Sequence, residues 1–123
     1  MKIKLNEVEK QIILRHEPSV RARALLELEI VCALIRRAND CGFYLGIHAL
    51  SNRVRSDNEL KKELFDLDEA TVEVYADEPA SPQPHGWIRL VFGNNGYGLI
   101  SDYSTNLETF LAPVKEVAEF WGG

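Results

Sequence analysis

At 123 residues, with 46% hydrophobic and 27% charged side chains, the chain is long enough for one packed core and too apolar to be a disordered segment. A domain of this size needs no metal or disulfide to fold, and a net charge of −5 argues against broad binding to nucleic acid, which requires an excess of Lys and Arg on one surface. The expected organisation is a single domain over residues 1–123.

The segment Met1-Lys2-Ile3-Lys4-Leu5-Asn6-Glu7 lacks the apolar core of a signal peptide, and no apolar run approaches the ~18 to 20 residues that span a bilayer. Val8, Ile12 and Ile13 recur at helical spacing, so a short helix is expected before Pro18 closes the segment. Ser19 is the expected N-cap of a long helix over Val20 to Asn39, which Asp40-Cys41-Gly42 ends with a glycine suited to a left-handed C-terminal turn. Within it Ile30-Val31-Cys32-Ala33-Leu34-Ile35 is apolar on every side, and such a helix either crosses the middle of a domain or seals a homodimer. Cys32 and Cys41 stand too far apart along this segment for a disulfide and are read as free thiols, consistent with a reducing, cytoplasmic setting in a bacterial host cell.

Phe43 to Leu50 reads as a strand, with Phe43, Leu45, Ile47 and Ala49 on one face and Tyr44, Gly46 and His48 on the other. Ser56 and Glu59 form a capping-box pattern that opens a short helix through Leu60, Leu64 and Phe65. In Ala70 to Ala76, Val72, Val74 and Ala76 alternate with Thr71, Glu73 and Tyr75, the pattern of a half-buried strand. Pro79, Pro82 and Pro84 make a loop of Asp77 to Gly86. Trp87 to Tyr103 then reads as a hairpin around an Asn95-Gly96 type I′ turn, whose register sets Arg89 opposite Asp102 and Val91 opposite Ile100. Thr105 with Glu108 is a second capping-box pattern, and Leu107, Phe110, Leu111, Val114, Val117, Ala118 and Trp121 continue as a helical stripe that Pro113 should kink or restart. The order helix, strand, helix, three-stranded meander, helix predicts an α+β fold: a largely antiparallel four-stranded sheet with helices packed mainly on one face.

The run from His85-Gly86-Trp87 through Val91-Phe92-Gly93-Asn94-Asn95-Gly96-Tyr97 to Ile100-Ser101-Asp102-Tyr103-Ser104-Thr105-Asn106-Leu107-Glu108 resembles a family of small uncharacterised phage and prophage accessory proteins. Arg55-Ser56-Asp57 and Asp68-Glu69-Ala70-Thr71 resemble the same family, and the likeness covers residues 28–120. It departs after Ile47, where the family carries an acidic Asp-Gly-Glu turn and this chain has His48-Ala49-Leu50-Ser51-Asn52. The resemblance implies a mobile-element origin and an α+β fold, and brings no catalytic residues or cofactor.

No catalytic constellation emerges from the residues. His48, Asp102, Ser101 and Ser104 are the residue types of a hydrolytic triad, yet no Gly-x-Ser-x-Gly elbow holds them together. Gly93, Gly96 and Gly98 fall in a hairpin, where they cannot aim a helix N-terminus at phosphate. The three histidines and two cysteines lack paired ligand spacing, so neither a metal nor a cofactor is expected. Arg89 and Asp102 are read first as a cross-strand ion pair. If helices cover only the opposite face of the sheet, Trp87, Arg89 and Asp102 join Tyr75, Tyr44 and His48 on an open binding surface of interface-type residues.

The leading expectation is therefore a non-enzymatic protein-binding module that docks on a host or phage protein, as a homodimer through the apolar helix. One alternative is a small hydrolase or transferase using His48 with Asp102. Another is weak nucleic-acid binding through residues 1–38, where eight Lys/Arg outnumber five Asp/Glu while residues 39–123 carry six against fourteen.

Overall fold

The computed structural model describes residues 5–48, 57–76, 84–93 and 98–122, with side chains as far as residue 117. The first helix, α1 (Glu7–Leu14), begins with a capping box that the sequence pattern did not single out. The Asn6 side chain accepts from the Glu9 amide at 2.8 Å, and the Glu9 carboxylate accepts from the Asn6 amide at 2.8 Å, so two of the four orphan donors of a helix start are satisfied. Pro18 does not end this helix. It opens a 3₁₀ turn, Pro18–Val20, that feeds directly into α2 (Arg21–Cys41). Ser19 lies inside that turn, so Val20 occupies the N-cap position without a side-chain bond. At the other end Gly42 takes φ 73°, its amide donates to Asn39 O and that of Phe43 to Ala38 O, the left-handed stop expected of this glycine.

The apolar centre of α2 belongs to the chain's own core. Ile30, Val31, Ala33, Leu34 and Ile35 are all buried at 8% exposure or less within a single chain, so this helix lies across the middle of the domain. The burial of these side chains is complete within one chain and needs no second copy to account for it.

The sheet is four-stranded and antiparallel, in the order β1 (Tyr44–Ile47), β2 (Glu69–Tyr75), β3 (Gly86–Val91), β4 (Ile100–Tyr103). The helix α3 (Asp57–Phe65) stands between β1 and β2, and α4 (Glu108–Gly122) follows a 3₁₀ turn over Thr105–Leu107. Ser56, Ala49, Leu50 and the Asn95-Gly96 turn lie outside the described residues, and β3 begins at Gly86, which the sequence placed in the loop. The second capping box does not form. Thr105 sits inside the 3₁₀ turn, and the Ser104 hydroxyl accepts instead from the Trp87 amide at 3.1 Å. Pro113 is accommodated inside α4, at an exposed position.

The hairpin register holds at one end and slips at the other. Arg89 faces Asp102 as expected and Ile88 faces Tyr103, but a bulge follows and Leu90, rather than Val91, faces Ile100. Ser101 is the extra residue. In an unbroken ladder it would sit beside the buried Leu90, so the bulge exchanges a serine for Ile100 on the core face. Alternation then assigns Ile47, Ala70, Val72, Val74, Ile88 and Leu90 to one face, where they form a single cluster with residues of α2, α3 and α4 such as Leu34, Leu64 and Leu111.

A buried polar contact ties the first three helices together. Glu9 of α1 takes the Lys61 ammonium of α3 at 2.9 Å and the Cys32 thiol of α2 at 3.0 Å on the same carboxylate oxygen. Burial pushes the Glu9 carboxyl upward, yet the Asn6 amide, Lys61 and Cys32 together hold it below its ordinary value.

Candidate functional site

The sheet residues that point away from the helices are those the sequence singled out. Cross-strand pairing sets Tyr44 opposite Tyr75, Glu73 opposite Trp87, Thr71 opposite Arg89, and Arg89 opposite Asp102, which places all of them on one face. Tyr44 at 43% and Trp87 at 38% are among the large hydrophobic residues left exposed. Tyr75 is not part of that open surface. It is 4% exposed, its ring passes 3.5 Å from where a Gly46 side chain would start, and its hydroxyl donates to Glu73 at 3.2 Å. Burial, then the Glu73 charge, raises the Tyr75 phenol above its usual range.

Arg89 forms its ion pair with Glu69 of β2, at 2.6 Å, rather than with the Asp102 it faces. Asp102 accepts from the backbone amide of Tyr103 at 2.9 Å. The diagonal partner on β2 is within reach of the guanidinium, so correct register did not decide the pairing. His48, its amide bonded to Thr71 O at 2.8 Å, extends the same face beyond β1 and sets Nδ1 3.5 Å from Glu73.

The structure does not bring the hydrolytic set together. His48 follows one edge strand and Asp102 lies on the other, three strand spacings or about 14 Å across the sheet, far outside the reach of a general-base pair. Ser101 is the bulge residue and Ser104 ties the start of β3, which gives both a structural role. Burial and the adjacent Glu9 carboxylate push the Cys32 thiol up to about 12, which disfavours the thiolate that a nucleophile needs. Among the described residues no group of three or more His, Cys, Asp or Glu is placed to hold a metal ion, and no helix is long and apolar enough to cross a membrane. Three of the eight basic residues in the N-terminal third are engaged within the chain: Arg15 pairs with Asp66 at 2.8 Å, Arg21 donates to His16 O, and Arg37 donates to Phe110 O.

A second site was not foreseen. A cavity of about 290 Å³ opens between α2 and the far end of β3, with Arg23, Glu27, His16, Phe65, Phe92 and Asp68 in its wall. Glu27 is 1% exposed, and one carboxylate oxygen accepts from the Gly93 amide at 2.6 Å. Its other oxygen stands 3.7 Å from Arg23 Nε, beyond hydrogen-bond distance. Burial raises the Glu27 carboxyl above its ordinary value, against the Gly93 amide, Arg23 and His16, which favour its charge. The sequence did carry a signal for this residue: Ala24, Glu27, Leu28, Val31, Leu34 and Ala38 fall on one helical stripe, so a charge sits in the buried seam of α2.

Comparison with known proteins supplies no relative: no family model matches the chain, nor does a curated protein or a solved structure.

Proposed function

We propose that this protein is a non-enzymatic binding module that docks a basic segment of a host or phage protein on the sheet face opposite the described helices. The single observation that carries this reading is that face itself. The helices meet the apolar face of the sheet, while the opposite face offers the exposed rings of Tyr44 and Trp87 among Glu69, Glu73 and Asp102. Tyr, Trp and Arg concentrate binding energy at interfaces, and an aromatic ring beside carboxylates suits a Lys or Arg side chain through cation–π and ionic contacts. The overall charge of −5 supports a basic partner by steering it in. A phage or prophage setting rests on the resemblance of the hairpin-to-helix segment alone.

Affinity capture from bacterial lysate tests this, comparing the wild type with Tyr44→Ser/Trp87→Ser. A basic protein retained by the wild type and released by the double variant at unchanged melting temperature supports the reading; identical retention by both refutes it.

A further inference from the structure

We propose that the cavity beside Glu27 and Arg23 binds a neutral planar heterocycle through a lactam edge, an N–H adjacent to a C=O, as found in uracil and guanine. This site is separate from the sheet face and goes beyond the protein-docking reading. Three observations define the ligand chemistry.

The first is an unfinished pair. Arg23 Nε is buried without a hydrogen-bond partner among the described residues, and the Glu27 oxygen 3.7 Å away is not close enough to serve it. A buried donor left in this state costs free energy, and a ligand that accepts from it recovers that cost. The other Glu27 oxygen is committed to the Gly93 amide, so one acceptor and one donor remain side by side. A lactam edge completes both together: its N–H donates to Glu27 and its C=O accepts from Arg23.

The second is the wall. The rings of Phe65 and Phe92 lie 4.9 Å apart at 56°, and His16 meets Phe65 edge-on at 6.3 Å. His16 Nδ1 faces Ile12 O at 2.9 Å, so that nitrogen carries the proton and the ring is fixed in place. Aromatic surfaces of this kind stack with flat heterocycles at little conformational cost.

The third is size and charge. About 290 Å³ is at the small end of ligand pockets and suits a base or nucleoside. Arg23 and Glu27 offset each other, and Asp68 in the wall repels phosphate, so the nucleotide is the poorer ligand.

Isothermal titration calorimetry of the full chain tests the proposal, with uridine and guanosine as probes and 3-methyluridine and 1-methylguanosine as controls that lack the lactam N–H. Saturable binding of uridine or guanosine is expected, with at least a tenfold loss on methylation; which of the two binds identifies the base. Arg23→Met should weaken binding at least tenfold. Glu27→Gln keeps an oxygen for Gly93 but turns an NH₂ toward the ligand's N–H, and should weaken it as much. Circular dichroism melts confirm that each variant is folded, and Tyr44→Ser/Trp87→Ser should bind the probe normally, which separates this site from the sheet face. No saturable heat with either nucleoside at millimolar concentration, or equal binding of the methylated controls, overturns the proposal.

Discussion

Glu9 concentrates more of the molecule's polar organisation than any other described side chain. It caps its own helix and receives both Lys61 and Cys32 on its second carboxylate oxygen. The side chains of Glu9 and Lys61 are 9% and 10% exposed, so each charge depends on the other for compensation. Removing one partner from such a buried pair costs about 3 to 5 kcal/mol, because the remaining charge is left in an apolar site, whereas replacing both can be nearly neutral. Glu9→Gln and Lys61→Met should each lower stability by roughly that amount, and the double variant should be less destabilised than the sum by at least about 2 kcal/mol. Urea unfolding of the four proteins measures this coupling directly. Simple additivity would mean that the two charges act independently despite their 2.9 Å contact.

At the scale of elements, the tightest junction is where β3 leaves its loop and meets the turn into α4. A Cβ on Gly86 would come within 2.7 Å of both Leu107 Cγ and Ser104 Oγ, and Leu107 is fully buried. Gly86→Ala should therefore destabilise by about 1 to 3 kcal/mol through overpacking. A drop in the urea midpoint with an unchanged slope would show it, while an unchanged midpoint would mean that Leu107 yields freely. This junction also shows what sequence reasoning could and could not see. The alternation of Val72, Val74, Ile88 and Leu90 and the stop at Gly42 are local patterns, so the strands, the long helix and the α+β order were legible. Thr105 with Glu108 has the pattern of a capping box, and nothing local shows that the chain instead enters a 3₁₀ turn there, with the Ser104 hydroxyl taken by the Trp87 amide from another strand. Likewise Val91 opposite Ile100 follows from turn geometry, and only the demand of the core beside Leu90 shifts it. The open sheet face was legible because pairing fixes its residues two by two, except Tyr75, whose burial depends on packing over Gly46. The cavity was not, since its wall draws on α2, the segment after α1, the end of α3 and the end of β3.

For the whole molecule, these buried groups set the pH range in which the fold is stable. On the acid side Glu9 has a lowered folded pKa, so its contribution is present above the ordinary 4.5 and is lost as pH falls below that value. Glu27 works in the opposite sense: its raised folded pKa gives stability that is full below 4.5 and declines as pH rises through the raised value. The two act in opposite senses on the acid side. On the alkaline side the effects add. Cys32 titrates at 9.0 when unfolded and at about 12 when buried against Glu9, so stability falls as pH rises from 9 toward 12. Lys61 and Tyr75, both raised above their ordinary 10.5 and 10.0, lose their contributions above those values as well. At pH 11 the thiol alone should cost on the order of 2 kcal/mol, a fall in melting temperature of several degrees for a domain of this size. Cys32→Ala should lower the melting temperature at pH 7 by removing a half-buried side chain and its bond to Glu9, yet flatten the curve above pH 9 because no thiol remains to ionise. Melts of both proteins from pH 6 to 11 provide the comparison, and parallel curves above pH 9 would remove Cys32 as the source of the alkaline limit.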